Sequence, residues 1–273
     1  MKEPYFENES VKIYCADSQN LDFIPDNSVH LIITSPPYNV GKEYSKHNDR
    51  MDLDNYYTML HNVFKECYRV LVSGGRIAVN VPSCLRMTTF SKVAYIAIDV
   101  YLMLKEIGFK ERDFIGWVKI PPITNEEDYK EDHRHYGWER PTSWGSWLSC
   151  SDPAVRDNME YIIVMHKETP RLDGNKEDVD ITKEEFMKYT YNAWFILPVS
   201  KMRKWHPAAF PDELPYRLMK LYSYRGNTVL DPFAGSGTVG GVARKIGRKA
   251  ILVDIDRKYC ELAKANCSQE VLF

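Results

Sequence analysis

Short β-branched and apolar runs alternate with helix-period stripes along almost the whole chain, and this alternation restricts the fold more than any other feature. The runs Val11–Cys15, Val29–Thr34, Arg76–Val81, Phe114–Ile120, Tyr161–Met165, Thr228–Leu230 and Ala250–Val253 read as seven strands. Between the second and third of them, Tyr56, Leu60, Val63, Phe64, Cys67 and Leu71 recur at three- and four-residue spacing. That stripe stops at Ser73-Gly74-Gly75, which predicts a helix ending there. A second stripe runs from Val93 to Ile107 and ends at Gly108, and further helices are expected at Leu214–Tyr222, Thr238–Ile246 and Arg257–Asn266. Strands alternating with helices give an α/β fold around a largely parallel sheet.

Two stretches break the rhythm. Pro121 to Asn158 is rich in Pro, Trp, Arg, His and acidic residues, and His166 to Tyr191 is strongly charged, with a capping-box pattern at Thr182 and Glu185. Long irregular segments inside a compact domain tend to be functional loops. Residues 121–158 and 166–204 are therefore candidate recognition segments inserted in a single domain spanning 1–273. A length of 273 residues with 44% hydrophobic content suits one such domain. The chain has no run of eighteen apolar residues, its first ten residues are acidic and polar, and its six cysteines form no C-x-x-C pair. These features favour a reducing cytoplasm and argue against a disulfide framework or a cysteine metal site.

The formal net charge of −2 leaves any nucleic-acid contact to local charge. Two basic clusters exist, Lys201, Arg203, Lys204 with Trp205 and His206, and Arg244, Lys245, Arg248, Lys249; each taken alone reads first as a solvated helix face. His133 and His135 lack a nearby Cys or His that would complete a metal set. Trp138, Trp144 and Trp147 would stack on a polymer or merely pin their loop. Arg134, Arg140 and Arg156 are candidate phosphate or base-edge contacts.

Two short segments carry chemistry. Thr34-Ser35-Pro36-Pro37-Tyr38-Asn39 directly follows an apolar strand, and ligands of open α/β sheets bind beyond the carboxyl ends of strands. Consecutive prolines stiffen the backbone and remove two N–H donors. The Ser35 hydroxyl and the carbonyls of Ser35 and Pro36 then form an array of acceptors suited to an exocyclic amine, and Tyr38 offers a flat face for an unstacked base. The second segment, Val229-Leu230-Asp231-Pro232-Phe233-Ala234-Gly235-Ser236-Gly237-Thr238, is a strand ending in a carboxylate, then a turn of small residues, then a helix start. It has neither the G-x-G-x-x-G spacing of dinucleotide sites nor the lysine of a phosphate loop. Asp254, ending the next strand, suits the two hydroxyls of a ribose. A nucleoside-bearing cofactor without a phosphate cradle fits this pair.

Together these segments resemble the amino-directed (cytosine-N4 / adenine-N6) DNA methyltransferases, whose cofactor motif reads D-P-F-x-G-S-G-T and whose catalytic motif reads [DNS]-P-P-[YF]. Here the catalytic motif comes first and the cofactor motif last, as in the permuted beta group of that family. Further matching segments are Cys15-Ala16-Asp17-Ser18, Arg69-Val70-Leu71 with Gly74-Gly75-Arg76-Ile77, Trp117-Val118-Lys119, Trp144-Gly145-Ser146-Trp147, and His206-Pro207-Ala208-Ala209-Phe210-Pro211. The resemblance implies a Rossmann-like, circularly permuted methyltransferase fold with a seven-stranded, mostly parallel sheet and inserted recognition loops. It implies S-adenosyl-L-methionine as cofactor, double-stranded DNA as substrate, and no metal. Catalysis would fall to Ser35, Pro36, Pro37 and Tyr38. The cofactor site would comprise Asp231, Pro232, Phe233, Ala234, Gly235, Gly237 and Thr238, with Asp254 on the ribose and Asp17 on the adenine amine. His206, Pro207 and Phe210 would lie near the methionine end.

In that family Ser-Pro-Pro is commoner among cytosine-N4 enzymes and Asp-Pro-Pro among adenine-N6 enzymes, so cytosine is the expected base and adenine the alternative. Attack at cytosine carbon 5 would need a cysteine nucleophile, typically after proline, and no Pro-Cys dipeptide exists in this chain. Rival classes are an RNA or protein methyltransferase, which usually places the cofactor motif first, and a non-catalytic DNA-binding relic. A cognate restriction endonuclease and a homodimer are partners suggested by resemblance alone.

Overall fold

The computed structural model describes residues 2–38, 52–83, 85–86, 93–119, 159–198 and 211–268. In chain order the elements are β1 (Phe6–Glu7), β2 (Val11–Cys15), β3 (Val29–Thr34), α1 (Leu53–Val70), β4 (Leu71–Pro82), β5 (Leu85–Arg86), β6 (Val93–Ala94), α2 (Ile96–Ile107), β7 (Lys110–Val118) and β8 (Met159–His166). There follow α3 (Lys183–Tyr189), β9 (Ala193–Phe195), α4 (Glu213–Tyr222), β10 (Thr228–Asp231), α5 (Thr238–Lys245), β11 (Lys249–Asp254) and α6 (Arg257–Ser268).

Among the described residues, nine strands form one sheet in the order β1-β2-β11-β10-β3-β4-β8-β7-β9. All seven strands expected from the sequence are in it, and the count of seven is corrected by two edge strands. These span two and three residues, too few to show a period in the sequence. Five of the eight pairings are parallel, and β8 runs antiparallel to both β4 and β7. Strand β4 also begins earlier than expected, at Leu71, because Ser73-Gly74-Gly75 continues the strand instead of forming a loop. Gly74 sits there at φ +75°, and a Cβ would meet the Arg171 carbonyl oxygen at 1.9 Å, so no other residue fits. Helix α2 starts at Ile96, three residues late, since Val93 and Ala94 pair with Leu85 and Arg86 as a small hairpin.

The sheet is covered on both faces, which is why its central strands are largely apolar. One core joins α1 and α2 to Ile32, Ile77, Val79, Val81 and Ile163; the other joins α4, α5 and α6 to Leu31, Ile33, Ala78, Ile162 and Val229. Helix α1 is capped by the Asp52 carboxylate, which accepts from the N–H groups of Asp54 and Asn55. Among the described residues, no helix is long and apolar enough to cross a membrane.

The described part of segment 166–204 is tied to the body. Fully buried Arg248 grips Asp180 with both Nη atoms, and the Lys220 amine lies 3.3 Å from the same carboxylate. Helix α3 carries the capping box, with Thr182 accepting from the Glu185 N–H at 3.1 Å and the Glu185 carboxylate accepting from the Thr182 N–H at 2.9 Å. Arg248 is therefore an internal clamp, although it stands within one of the two basic clusters of the sequence. The other cluster, Lys201 to His206, lies outside the described residues, as does the whole of 121–158 with its histidines, tryptophans and arginines.

Candidate active site

Strands β11, β10, β3 and β4 are parallel neighbours, so their carboxyl ends reach the same edge of the sheet. Topology thereby gathers Asp254, Asp231, the Thr34–Tyr38 loop and Asn80, which are scattered over more than 200 residues of sequence. The two chemistry-bearing motifs touch directly. The Thr34 hydroxyl donates to Asp231 Oδ1 at 2.8 Å across a sequence separation of 197. The same oxygen accepts from the Phe233 N–H at 3.1 Å, which fixes the start of the turn.

Asp231 is 2% exposed, and burial pushes its carboxyl up to about 7; the nearby Asp254 charge adds to the rise, against the hydrogen bonds from Thr34 and Phe233. Asp254 is also raised, again chiefly by burial. Its Oδ2 accepts from the Gly235 N–H and its Oδ1 from the Asp256 N–H, each at 2.9 Å. Two desolvated carboxylates at neighbouring strand ends suit a ligand that brings hydroxyl donors and positive charge.

Gly235 and Gly237 adopt φ +50° and +79°. At Gly237 a Cβ would lie 2.8 Å from Cα and Cβ of Ala263, so this glycine lets α6 pack under the turn. Pro232, Ala234 and Thr238 are buried, and Phe233 is half-buried against the α1–α2 core. Asp17 lies two residues beyond β2 and is exposed, with its carboxylate accepting from the Gln19 N–H and side-chain amide. It borders a cavity of about 540 Å³ together with Lys2, Asn20, Asp22 and Phe23. Ser18 closes the link to the turn by donating to the Pro232 carbonyl at 2.6 Å. His206, Pro207 and Phe210 lie outside the described residues.

The Ser35–Tyr38 loop is braced from below. The Pro37 carbonyl accepts from the Tyr56 hydroxyl at 2.8 Å. Ser35 Oγ and the Tyr38 hydroxyl are 2.8 Å apart, and Tyr38 donates to Glu160 Oε2 at 3.0 Å. The Asn80 amide contacts both the Tyr38 hydroxyl, at 3.1 Å, and the Glu160 carboxylate; the Lys119 ammonium closes on Glu160 Oε1. Burial first, and the Glu160 charge second, push the Tyr38 phenol well above its usual range, so it remains a donor. Sequence reasoning gave Thr34 no role of its own, although it opens the Ser35–Tyr38 segment, and missed Tyr56, Asn80 and Glu160, because only the packing of α1 and the pairing of β4 with β8 bring these three to the loop. Ser18 and Lys119 fell within matched segments without a role being read from them.

The chain is similar to known DNA methyltransferases in sequence and in fold. A family model described as DNA methylase, covering N6 and N4 enzymes, matches residues 29–265. The type II methyltransferase M.HpaI of Haemophilus parainfluenzae is 26% identical over 270 residues, 95% of this chain and 74% of that protein. The crystal structure of TTHA0409 of Thermus thermophilus, complexed with S-adenosyl-L-methionine, superposes with a TM-score of 0.70. It is 26% identical, covering 95% of this chain and 94% of the other. The fold also matches the cytosine-N4-specific PvuII DNA methyltransferase, with a TM-score of 0.71 at 19% identity, over 100% of this chain and 91% of that one.

Proposed function

We propose, from the premise that this chain belongs to the DNA methylase family, that it methylates the 4-amino group of a cytosine flipped out of duplex DNA, using S-adenosyl-L-methionine. The observation that carries this reading is the Thr34–Asp231 hydrogen bond, which sets the Ser35–Tyr38 loop beside the Asp231–Gly237 turn. The residues present suit the cofactor. Asp254 would hold the ribose, the buried Asp231 carboxylate anchors the start of the turn, and Asp17, which borders the cavity, would meet the adenine amine. Pro232, Phe233, Ala234, Gly235, Gly237 and Thr238 would form the floor and walls, with His206, Pro207 and Phe210 toward the methionine end. When bound, S-adenosyl-L-methionine supplies a methyl group on a positively charged sulfur.

The protein's own part is positioning and charge. Ser35 Oγ and the Pro36 carbonyl accept the two amine hydrogens, drawing the nitrogen lone pair out of conjugation with the ring. Acceptors placed there strengthen as the nitrogen gains positive charge, and no covalent enzyme intermediate is needed. Tyr38 supports the base on its face, held by the bond from its hydroxyl to Glu160. Residues 1–273 act as a single methyltransferase domain, with 121–158 and 166–204 reading the target. The reading includes a cytoplasmic site of action, a cognate endonuclease acting on the same DNA sites, and a homodimeric assembly.

The test is methyl transfer from labelled cofactor to unmethylated duplex DNA, followed by nucleoside analysis. A labelled 4-methylcytosine peak is expected. A 6-methyladenine peak would keep the mechanism and overturn the base. Label in RNA or protein alone would overturn the DNA substrate, and cofactor binding without transfer to any polymer would point to a relic.

A further inference from the structure

Serine is a weak choice for holding an amine, because a hydroxyl donates as readily as it accepts and an amine presents only hydrogens. The hydrogen-bond chain beneath Ser35 removes this ambiguity. Glu160 is carried by β8 opposite Trp117 of β7 and Pro82 of β4. Asn80 stands two residues before Pro82 on β4, on the same face as Glu160, and Lys119 follows the last residue of β7 and reaches the Glu160 carboxylate from there. The Glu160 side chain is 10% exposed and that of Lys119 25% exposed. One carboxylate oxygen takes Lys119; the other takes Asn80 and the Tyr38 hydroxyl.

Donor counting then orders the chain. Tyr38 has one hydroxyl hydrogen, and a carboxylate is the stronger acceptor for it. With that hydrogen spent on Glu160, the Tyr38 oxygen accepts from the Asn80 amide and from Ser35. The Ser35 hydrogen therefore points at Tyr38, and the Ser35 lone pairs are left for the substrate. We propose that Glu160, seated by Lys119 and Asn80, is a positioning residue that sets the direction of the Tyr38–Ser35 hydrogen bonds and so makes Ser35 an acceptor for the target amine. This rests on the reading of Ser35 and Tyr38 given above.

The experiment is a double-mutant cycle of Glu160→Gln and Tyr38→Phe in the full chain, with kcat, KM for duplex DNA and cofactor affinity measured for each variant. Gln keeps the shape of Glu160 but offers an amide that can donate to Tyr38 and reverse the chain. Each single variant is expected to lower kcat by about tenfold, a barrier change of the size of one lost hydrogen bond, with cofactor affinity unchanged. The double variant should be no slower than the worse single one, because both cut the same chain. Independent, multiplicative losses would overturn the proposal, as would a loss confined to KM. Lys119→Met, which unseats the carboxylate from the other side, serves as a second route should Glu160→Gln fail to fold, and it should show the same coupling to Tyr38→Phe. Ser35→Ala and Tyr38→Ala separate the two layers. If these are as active as the parent, the reading of the loop itself fails. If they are impaired while Glu160→Gln and Lys119→Met are fully active, only the role of Glu160 falls.

Discussion

Replacing Asp231 by asparagine should make the cofactor-free protein more stable at neutral and alkaline pH. Folded Asp231 holds its proton to about pH 7, against an ordinary carboxyl value of 3.8, chiefly because it is buried. In the window between those values the unfolded chain binds fewer protons than the folded one, so stability falls as pH rises through it. Three units of difference correspond to about 4 kcal/mol of burial cost, fully present above pH 7 and absent below about pH 4. Asparagine retains the oxygen that Thr34 and Phe233 address but brings an N–H₂ group whose desolvation returns ~1–3 kcal/mol. The net expectation at pH 8 is a gain of roughly 1–3 kcal/mol for Asp231→Asn. Urea unfolding at pH 4, 6 and 8 measures it, with the gain shrinking steadily toward acid. A variant that is no more stable at pH 8, or whose advantage does not change with pH, would refute the account of Asp231 as a carboxylate held at an energetic cost. Retaining such a group is expected where a site needs charge more than stability.

The remaining expectations concern the frame. Gly237→Ala must place a side chain at φ +79° and 2.8 Å from Ala263, so thermal unfolding should show a loss of at least ~2 kcal/mol, with α6 displaced from the turn. Asp180→Ala strands Arg248 without its buried carboxylate, and urea unfolding should show a loss of about 3–5 kcal/mol. Thr182→Ala removes one half of the capping box on α3, which should cost about 1 kcal/mol by the same measurement.

Much of this protein was legible one segment at a time. Each central strand is sandwiched between helices, so Ala250–Val253 reads as an unbroken apolar run and Val29–Ile33 as one interrupted only by His30. Helix α1 writes its buried stripe from Tyr56 to Cys67 at helical spacing, and Thr182 with Glu185 spells out its own cap. The Ser35–Tyr38 and Asp231–Thr238 segments are local as well, since a rigid proline turn and a small-residue turn each need neighbours in sequence. What no local pattern could express was decided by tertiary structure. The two-residue β1 and three-residue β9 have no period, and they exist only because a longer strand lies beside them. Arg248 looks like a surface cation until Asp180, 68 residues away, is folded against it. The Thr34–Asp231 bond and the Asn80–Glu160–Lys119 seat under Tyr38 depend on strand order and register, which bring together residues 197, 80 and 41 positions apart. Local spacing encodes elements and turns because their hydrogen bonds are short-range in sequence. The chemistry of this site resides in polar side chains paired across a sheet edge, and only the assembled sheet determines which of them meet.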